Sequence, residues 1–116
     1  MEREPLSPLT MAILLALARE EQHGYALMGE VEAQTGKRPG TGSLYAALER
    51  LVEEGLIEET AEGPGPREDQ RRRNFRITRG GRDCARAEAA RMLRVLDLAR
   101  THALIGSLRD LREETR

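Results

Sequence analysis

The sequence predicts a mainly α-helical fold with a small β-hairpin, and three features of the chain lead to this class. Apolar residues recur at helical spacing in three successive segments of the first half. Two short β-prone segments then flank a stretch rich in glycine and proline, which is typical of a hairpin. A long final segment keeps one apolar stripe almost to its end.

The first two helices begin and end at residues suited to those positions. Ser7 and Pro8 predict the start of helix one, since serine caps a helix N-terminus and proline fits the first turn. Helix one runs to about Glu20. Helix two begins near His23-Gly24 and ends at Gly36, because glycine adopts the left-handed conformation that ends many helices.

The third helix precedes the hairpin directly. It runs from about Thr41 to Glu54, and three leucines at i, i+4 and i+7 predict its buried face. Gly55 ends it, a strand follows over residues 56–60, residues 62–70 form the hairpin tip, and a second strand surrounds Phe75–Ile77. This is the layout of a winged helix-turn-helix, in which the helix enters a DNA groove and the hairpin, or wing, contacts the backbone. We therefore predict a DNA-binding domain over residues 1–78.

Two apolar surfaces predict a homodimer. The final segment, residues 79–116, predicts a dimerisation helix from about Gly80 to Glu114, with Thr78 as its cap and Gly106-Ser107 as the point where it would bend or end. At ~1.5 Å per residue such a helix is about 45–50 Å long, and its stripe needs a partner. Helix one is also apolar on a second side. The predicted dimer contacts are Leu6, Met11, Leu15, Ala89, Met92, Leu93, Leu96, Ala103 and Leu104.

The predicted DNA contacts lie in the turn before helix three, at the start of that helix, and before the second strand. The net charge is only −1, because residues 1–60 carry 5 basic and 11 acidic side chains and residues 61–116 carry 14 and 9. Binding to phosphate must therefore rest on local patches, among them the positive end of the helix dipole. These contacts are Lys37, Arg38, Thr41, Ser43, Tyr45, Arg71, Arg72 and Arg73. The alternatives are that Thr41 is only an N-cap, that Tyr45 packs in the core and that the arginines form a solvated face.

Four segments resemble the PadR family of bacterial transcriptional regulators. They are His23-Gly24-Tyr25-Ala26-Leu27, Gly42-Ser43-Leu44-Tyr45, the stretch 48–57 and the stretch 72–82, in order and with compatible spacing. The family usually has proline where Ala46 stands. The resemblance implies a repressor that binds double-stranded DNA, at a palindromic operator, as a homodimer. It also implies a small-molecule effector near the dimer interface and a position near DNA for Tyr25, with a core position as the alternative.

Other kinds of chemistry have little support in the sequence. Cys84 is the single cysteine, which rules out an internal disulfide and suits the cytoplasm. Cys84 and two isolated histidines lack metal-ligand spacing, so we predict no metal and no cofactor. No catalytic set is visible, so an enzyme is not expected. No apolar run approaches the ~20 residues that span a bilayer, so we predict no membrane partner.

Two other interpretations are also consistent with the sequence. The acidic first half, with Glu49 and Glu53 on the third helix, would suit a protein-interaction adaptor that kept the winged fold without binding DNA. Cys84 near the start of the last helix would suit a redox or ligand sensor, although a buried structural cysteine is the simpler interpretation.

Overall fold

The structure, a computed structural model, describes residues 4–60 and 73–115. It confirms a mainly helical chain with a small antiparallel sheet. In order, the elements are α1 (Pro8–Arg19), β1 (Gln22–His23), α2 (Gly24–Thr35), α3 (Thr41–Glu53), β2 (Ile57–Thr60), β3 (Asn74–Ile77), α4 (Arg79–Thr101) and α5 (Leu108–Glu114).

The helix ends follow from local hydrogen bonds and backbone angles. The Ser7 hydroxyl accepts a hydrogen bond from the Thr10 amide at 3.1 Å, which caps α1 as the sequence predicts. Gly36 ends α2 with φ 80° and Gly55 follows α3 with φ 77°, both in the left-handed region that favours glycine. The Thr78 hydroxyl accepts from the Gly81 amide at 3.1 Å and so caps α4, again as predicted.

The sheet has the order β1-β3-β2, with both pairings antiparallel. In the wing, Glu59 lies opposite Phe75 and Ile57 opposite Ile77. The sequence does not predict β1, whose Gln22 lies opposite Phe75 on the other edge of β3. Two residues are too few to show a strand periodicity, and β1 is held by tertiary contacts. The Gln22 amide donates to the Ala16 carbonyl at 2.9 Å, and the Gly24 amide donates to the Arg73 carbonyl at 2.9 Å.

The core lies in the first of two compact units, which extends to Arg86, while the second starts at Ala87. Aliphatic side chains of α1, α2 and α3 fill it, and Phe75 of β3 is fully buried among them. The three leucines predicted for the inner face of α3 are all buried: Leu44, Leu48 and Leu51. Cys84 is buried as well, which fits the structural interpretation of that residue.

The second apolar side of α1 is narrower than the sequence suggests. Met11 is buried in the core of a single chain, so its predicted position in a dimer interface is corrected. The reason is that α2 and the sheet enclose more of α1 than one neighbouring helix would. Leu15 is exposed and Leu6 is half-buried, so these two side chains keep surface that a partner could cover.

The final segment forms two helices, so the helix predicted to run to about Glu114 is interrupted. The 23 residues of α4 span about 35 Å at 1.5 Å per residue. Ala103 adopts φ 61°, the Leu104 amide donates to the Ala99 carbonyl at 2.8 Å, and the Ala103 amide donates to the Arg100 carbonyl at 3.0 Å. This pair of bonds is the Schellman pattern that closes a helix.

The break therefore falls before the predicted point. Gly106-Ser107 does not end α4, and Ser107 instead begins α5 by accepting a hydrogen bond from the Asp110 amide at 3.2 Å. Ala103 and Leu104, two predicted contacts of the dimerisation helix, thus lie between α4 and α5. Among the described residues, no helix combines the length and apolarity that crossing a membrane requires.

Candidate nucleic-acid interface

The N-terminal end of α3 is exposed and carries short hydroxyl side chains. Gly40 is the N-cap residue and offers no side chain to the first amides of the helix. Thr41 is therefore the first helical residue, not the N-cap, and both Thr41 and Ser43 are exposed. Free amides at a helix N-terminus attract anions, since they add hydrogen bonds to the positive end of the helix dipole. This end of α3 has the chemistry that binds phosphate.

Two cationic side chains lie in the turn just before α3. The Thr35 hydroxyl orders the turn, because it accepts from the Lys37 amide at 3.2 Å and donates to the Val31 carbonyl at 2.8 Å. Lys37 is exposed and has no ion-pair partner among the described residues. Arg38 pairs with Glu32 at 3.2 Å, and both side chains are about half exposed. Lys37 is thus the cation most available to a ligand at this end of α3.

Tyr45 points inward from the same helix. It is only 7% exposed, and a Cβ atom on Gly24 would lie 2.7 Å from the Tyr45 Cζ atom. Glycine is therefore needed at position 24, where the ring covers the start of α2. This burial favours the packing alternative for Tyr45 over direct contact with DNA. The neighbouring Tyr25 is 56% exposed, which excludes the core alternative for that residue in the isolated chain.

Arg73, at the start of the second wing strand, is held by two carboxylates. Its guanidinium donates to Glu59 at 2.8 and 3.0 Å and to Glu49 at 2.6 Å, and 17% of its side chain is exposed. Hydrogen bonding to Glu59 raises the pKa of Arg73, burial opposes the rise, and Glu49 adds to it. The charge of Arg73 is thus balanced within the protein, which favours a structural role. Arg71, Arg72 and the hairpin tip lie outside the described residues.

The predicted residues therefore separate into two groups. Lys37, Arg38, Thr41 and Ser43 come together at one end of α3, while Tyr45 and Arg73 meet further along the helix. Glu49 and Glu59 are partners of Arg73 that the sequence did not predict. The pairing of the hairpin strands could have indicated the contact with Glu59, because Glu59 lies opposite Phe75, which is two residues from Arg73. Glu49 is 24 residues from Arg73, and the chain pattern gives no sign of that contact.

Comparison with known proteins relates the chain to a known family. The transcriptional regulator PadR-like family matches residues 13–87, which is more than half of the chain. The chain is also 40% identical over 86 residues to an uncharacterized 37.1 kDa protein in transposon Tn4556 of Streptomyces fradiae. That match covers 73% of this chain and 23% of the relative, so the chain spans about a quarter of that protein's length.

Solved structures share the fold. A PadR family transcription regulator from Clostridium difficile R20291 has a TM-score of 0.68 at 17% identity, covering 84% of this chain and 99% of that one. A PadR-like transcriptional regulator from Bacillus cereus has 0.64 at 24%, covering 85% and 93%. RosR of H. salinarum has 0.61 at 25%, covering 98% and 92%. With its helices, wing and matched residues, the chain belongs to the PadR-like family of transcriptional regulators.

Proposed function

We propose that this protein is a DNA-binding transcriptional repressor that acts as a homodimer on a palindromic operator. One observation carries the proposal: the N-terminal end of α3 presents Lys37, Arg38, Thr41 and Ser43 to solvent, while its leucines fix the helix to the core. Membership of a family of transcriptional regulators supports it. The proposal places the protein in the cytoplasm and assigns it regulation and not catalysis.

The contacts would divide between the helix and the wing. With α3 in the major groove, Thr41 and Ser43 reach phosphates or base edges, and Lys37 and Arg38 contact the flanking backbone. Tyr25 adds an exposed side chain at the start of α2. Arg71 and Arg72 would contact phosphates from the wing. Contacts to phosphate position the protein, so the base preference would come from α3.

The homodimer would form on α4. Ala89, Met92, Leu93 and Leu96 lie on one face of this helix at the spacing of a helix-packing seam, and Met92 and Leu93 are exposed. Exposed apolar surface of this kind marks an interaction site in soluble proteins. A two-fold dimer matches the symmetry of a palindromic operator, with half-sites one helical turn apart. The resemblance to the family further leads us to propose a small-molecule effector that releases the dimer from DNA.

Lys37→Ala is expected to weaken binding about 3–10-fold on operator and scrambled DNA alike, because it removes a phosphate contact that carries no base information. The slope of log affinity against log salt should fall by about 1. The operator probe is the promoter duplex upstream of the protein's own gene, and a scrambled duplex of equal length is the comparison. Fluorescence anisotropy on these two duplexes at several salt concentrations measures the affinity and the salt slope.

Arg19→Ala is the matched control for this substitution. It removes one positive charge from the far end of α1. Leu9, near the start of α1, lines a groove together with Lys37 and Ser43, and Arg19 lies about 15 Å further along the helix. Arg19 also pairs with Glu30, so its charge is partly balanced. If Lys37→Ala and Arg19→Ala shift affinity and slope equally, Lys37 makes no specific phosphate contact and the site is misplaced.

A further inference from the structure

The Arg73 cluster, defined as Arg73, Glu49, Glu59, Tyr45 and Phe75, joins the wing to α3. We propose that Arg73 is a positioning residue that fixes the wing relative to α3, the helix proposed to enter the major groove and called the recognition helix below, with Glu49 as its anchor on that helix. Arg73 would then act on DNA specificity through the geometry of other residues and not as a phosphate ligand. This inference rests on the proposed DNA-binding function.

One guanidinium reaches three elements. Arg73 immediately precedes β3, Glu59 lies on β2, and Glu49 lies on α3. The Nη2 atom donates to Glu49 at 2.6 Å and to Glu59 at 2.8 Å, while the Nε atom donates to Glu59 at 3.0 Å. Only arginine offers several donors in a rigid planar fork, so a lysine could not hold the same set of bonds.

Two aromatic rings lie next to the same guanidinium. Its carbon atom lies 5.3 Å from the centroid of Phe75 and 6.0 Å from that of Tyr45, within the range of cation–π attraction. The side chain is shielded from water more than its two carboxylate partners, which are 54% and 41% exposed for Glu49 and Glu59. Ion pairs shielded in this way hold one geometry better than exposed pairs, which solvent and salt weaken.

The backbone of Arg73 adds a fourth connection. Its carbonyl accepts the Gly24 amide at 2.9 Å, at the start of α2, and the Tyr45 ring lies over the same Gly24. The recognition helix, the wing and the start of α2 thus meet at one residue. DNA recognition needs the helix in the groove and the wing on the backbone in the same register, so fixing their separation favours the operator over other DNA.

The sign of the Glu49→Gln effect separates this inference from simple electrostatics. Removing a negative charge beside bound DNA should by itself tighten binding to every duplex. The proposal predicts the opposite for the operator, with about 5–20-fold weaker binding and a smaller preference over scrambled DNA, since the wing loses its anchor on α3. Anisotropy titrations on both duplexes at one salt concentration measure the two values.

Glu53→Gln is the matched control, since Glu53 lies one turn further along α3, is exposed and has no ion pair among the described residues. It reports the charge effect alone, so operator binding should be unchanged or tighter.

Arg73→Lys should also reduce the preference for the operator over scrambled DNA. The double variant Glu49→Gln/Arg73→Lys should lose no more of this preference than Arg73→Lys alone. Residues that act through one shared contact are non-additive in this way, whereas independent DNA contacts add.

A measurement without DNA keeps the inference separate from the function on which it rests. Hydrogen exchange of the free protein should be faster at Gly24 and along β3 in Glu49→Gln than in Glu53→Gln, with both proteins folded by circular dichroism. If the wild type prefers no duplex, the proposed function fails, yet this exchange result still decides whether the connection exists. If Glu49→Gln matches Glu53→Gln in exchange and in operator binding, the inference is overturned.

Discussion

Phe75→Ala is expected to lower the free energy of unfolding by about 3–5 kcal/mol, which is a large part of the stability of a small domain. Phe75 is the only phenylalanine, it is fully buried, and it brings the wing into the core formed by the three helices. Truncation leaves a cavity. It also removes the aromatic ring whose centroid lies 5.3 Å from the Arg73 guanidinium carbon. Thermal unfolding followed by circular dichroism should show a drop in Tm of more than roughly 10 °C.

Phe75→Leu provides the comparison, since it keeps an apolar side chain in the same place and should cost about 1–2 kcal/mol. All variants need the same protein concentration, because the unfolding of a dimer depends on concentration. A Phe75→Ala protein within 1 kcal/mol of the wild type, a threshold well below the usual cost of such a truncation, would show that the wing does not close the core.

Met92→Asp/Leu93→Asp is expected to raise the dissociation constant of the dimer more than about 100-fold. Each buried apolar side chain of this size contributes about 1.5–3 kcal/mol, and each 1.4 kcal/mol is tenfold in affinity. Both residues are exposed in the single chain, so their replacement should leave the fold of each subunit intact. Analytical ultracentrifugation gives the dissociation constant, and operator binding should fall with it because one subunit holds one half-site.

Arg94→Asp is the control for that double variant. Arg94 is exposed on the same helix, and at 3.6 residues per turn it lies on the other side of α4 from the seam formed by Ala89, Met92, Leu93 and Leu96. It introduces the same side chain without entering the seam, so it should dimerise like the wild type. A monomeric wild type, or equal dissociation constants for the two variants, would mean that α4 does not carry the dimer contact.

Local signals predicted most of the fold. Ser7, Gly36, Gly55 and Thr78 mark helix ends through caps and left-handed backbone, and each acts in the structure as the sequence indicates. The inner face of α3 follows from its leucine spacing. These features depend on neighbours within a few residues, which is why a single sequence can reveal them.

Features that depend on distant contacts could not be predicted. The strand β1 exists because it pairs with β3, some fifty residues later in the chain. The end of α4 at Thr101 uses an alanine, Ala103, in a conformation usually given to glycine, so the glycine at 106 was a misleading signal. The Glu49–Arg73 contact again joins positions that no local pattern relates. Burial of Tyr45 and the ion pairs of Arg73 also depend on distant residues, and these contacts favour a packing role for both side chains over direct contact with DNA.

The measurement that tests the central claim most directly is binding of the wild-type protein to the promoter duplex upstream of its own gene. Fluorescence anisotropy should compare this duplex with a scrambled duplex of equal length at a low and a high salt concentration. We predict affinity for the promoter that falls steeply with salt and exceeds that for scrambled DNA more than about 100-fold. No detectable binding to either duplex, even at low salt, would contradict DNA binding and favour a winged-helix adaptor for protein partners.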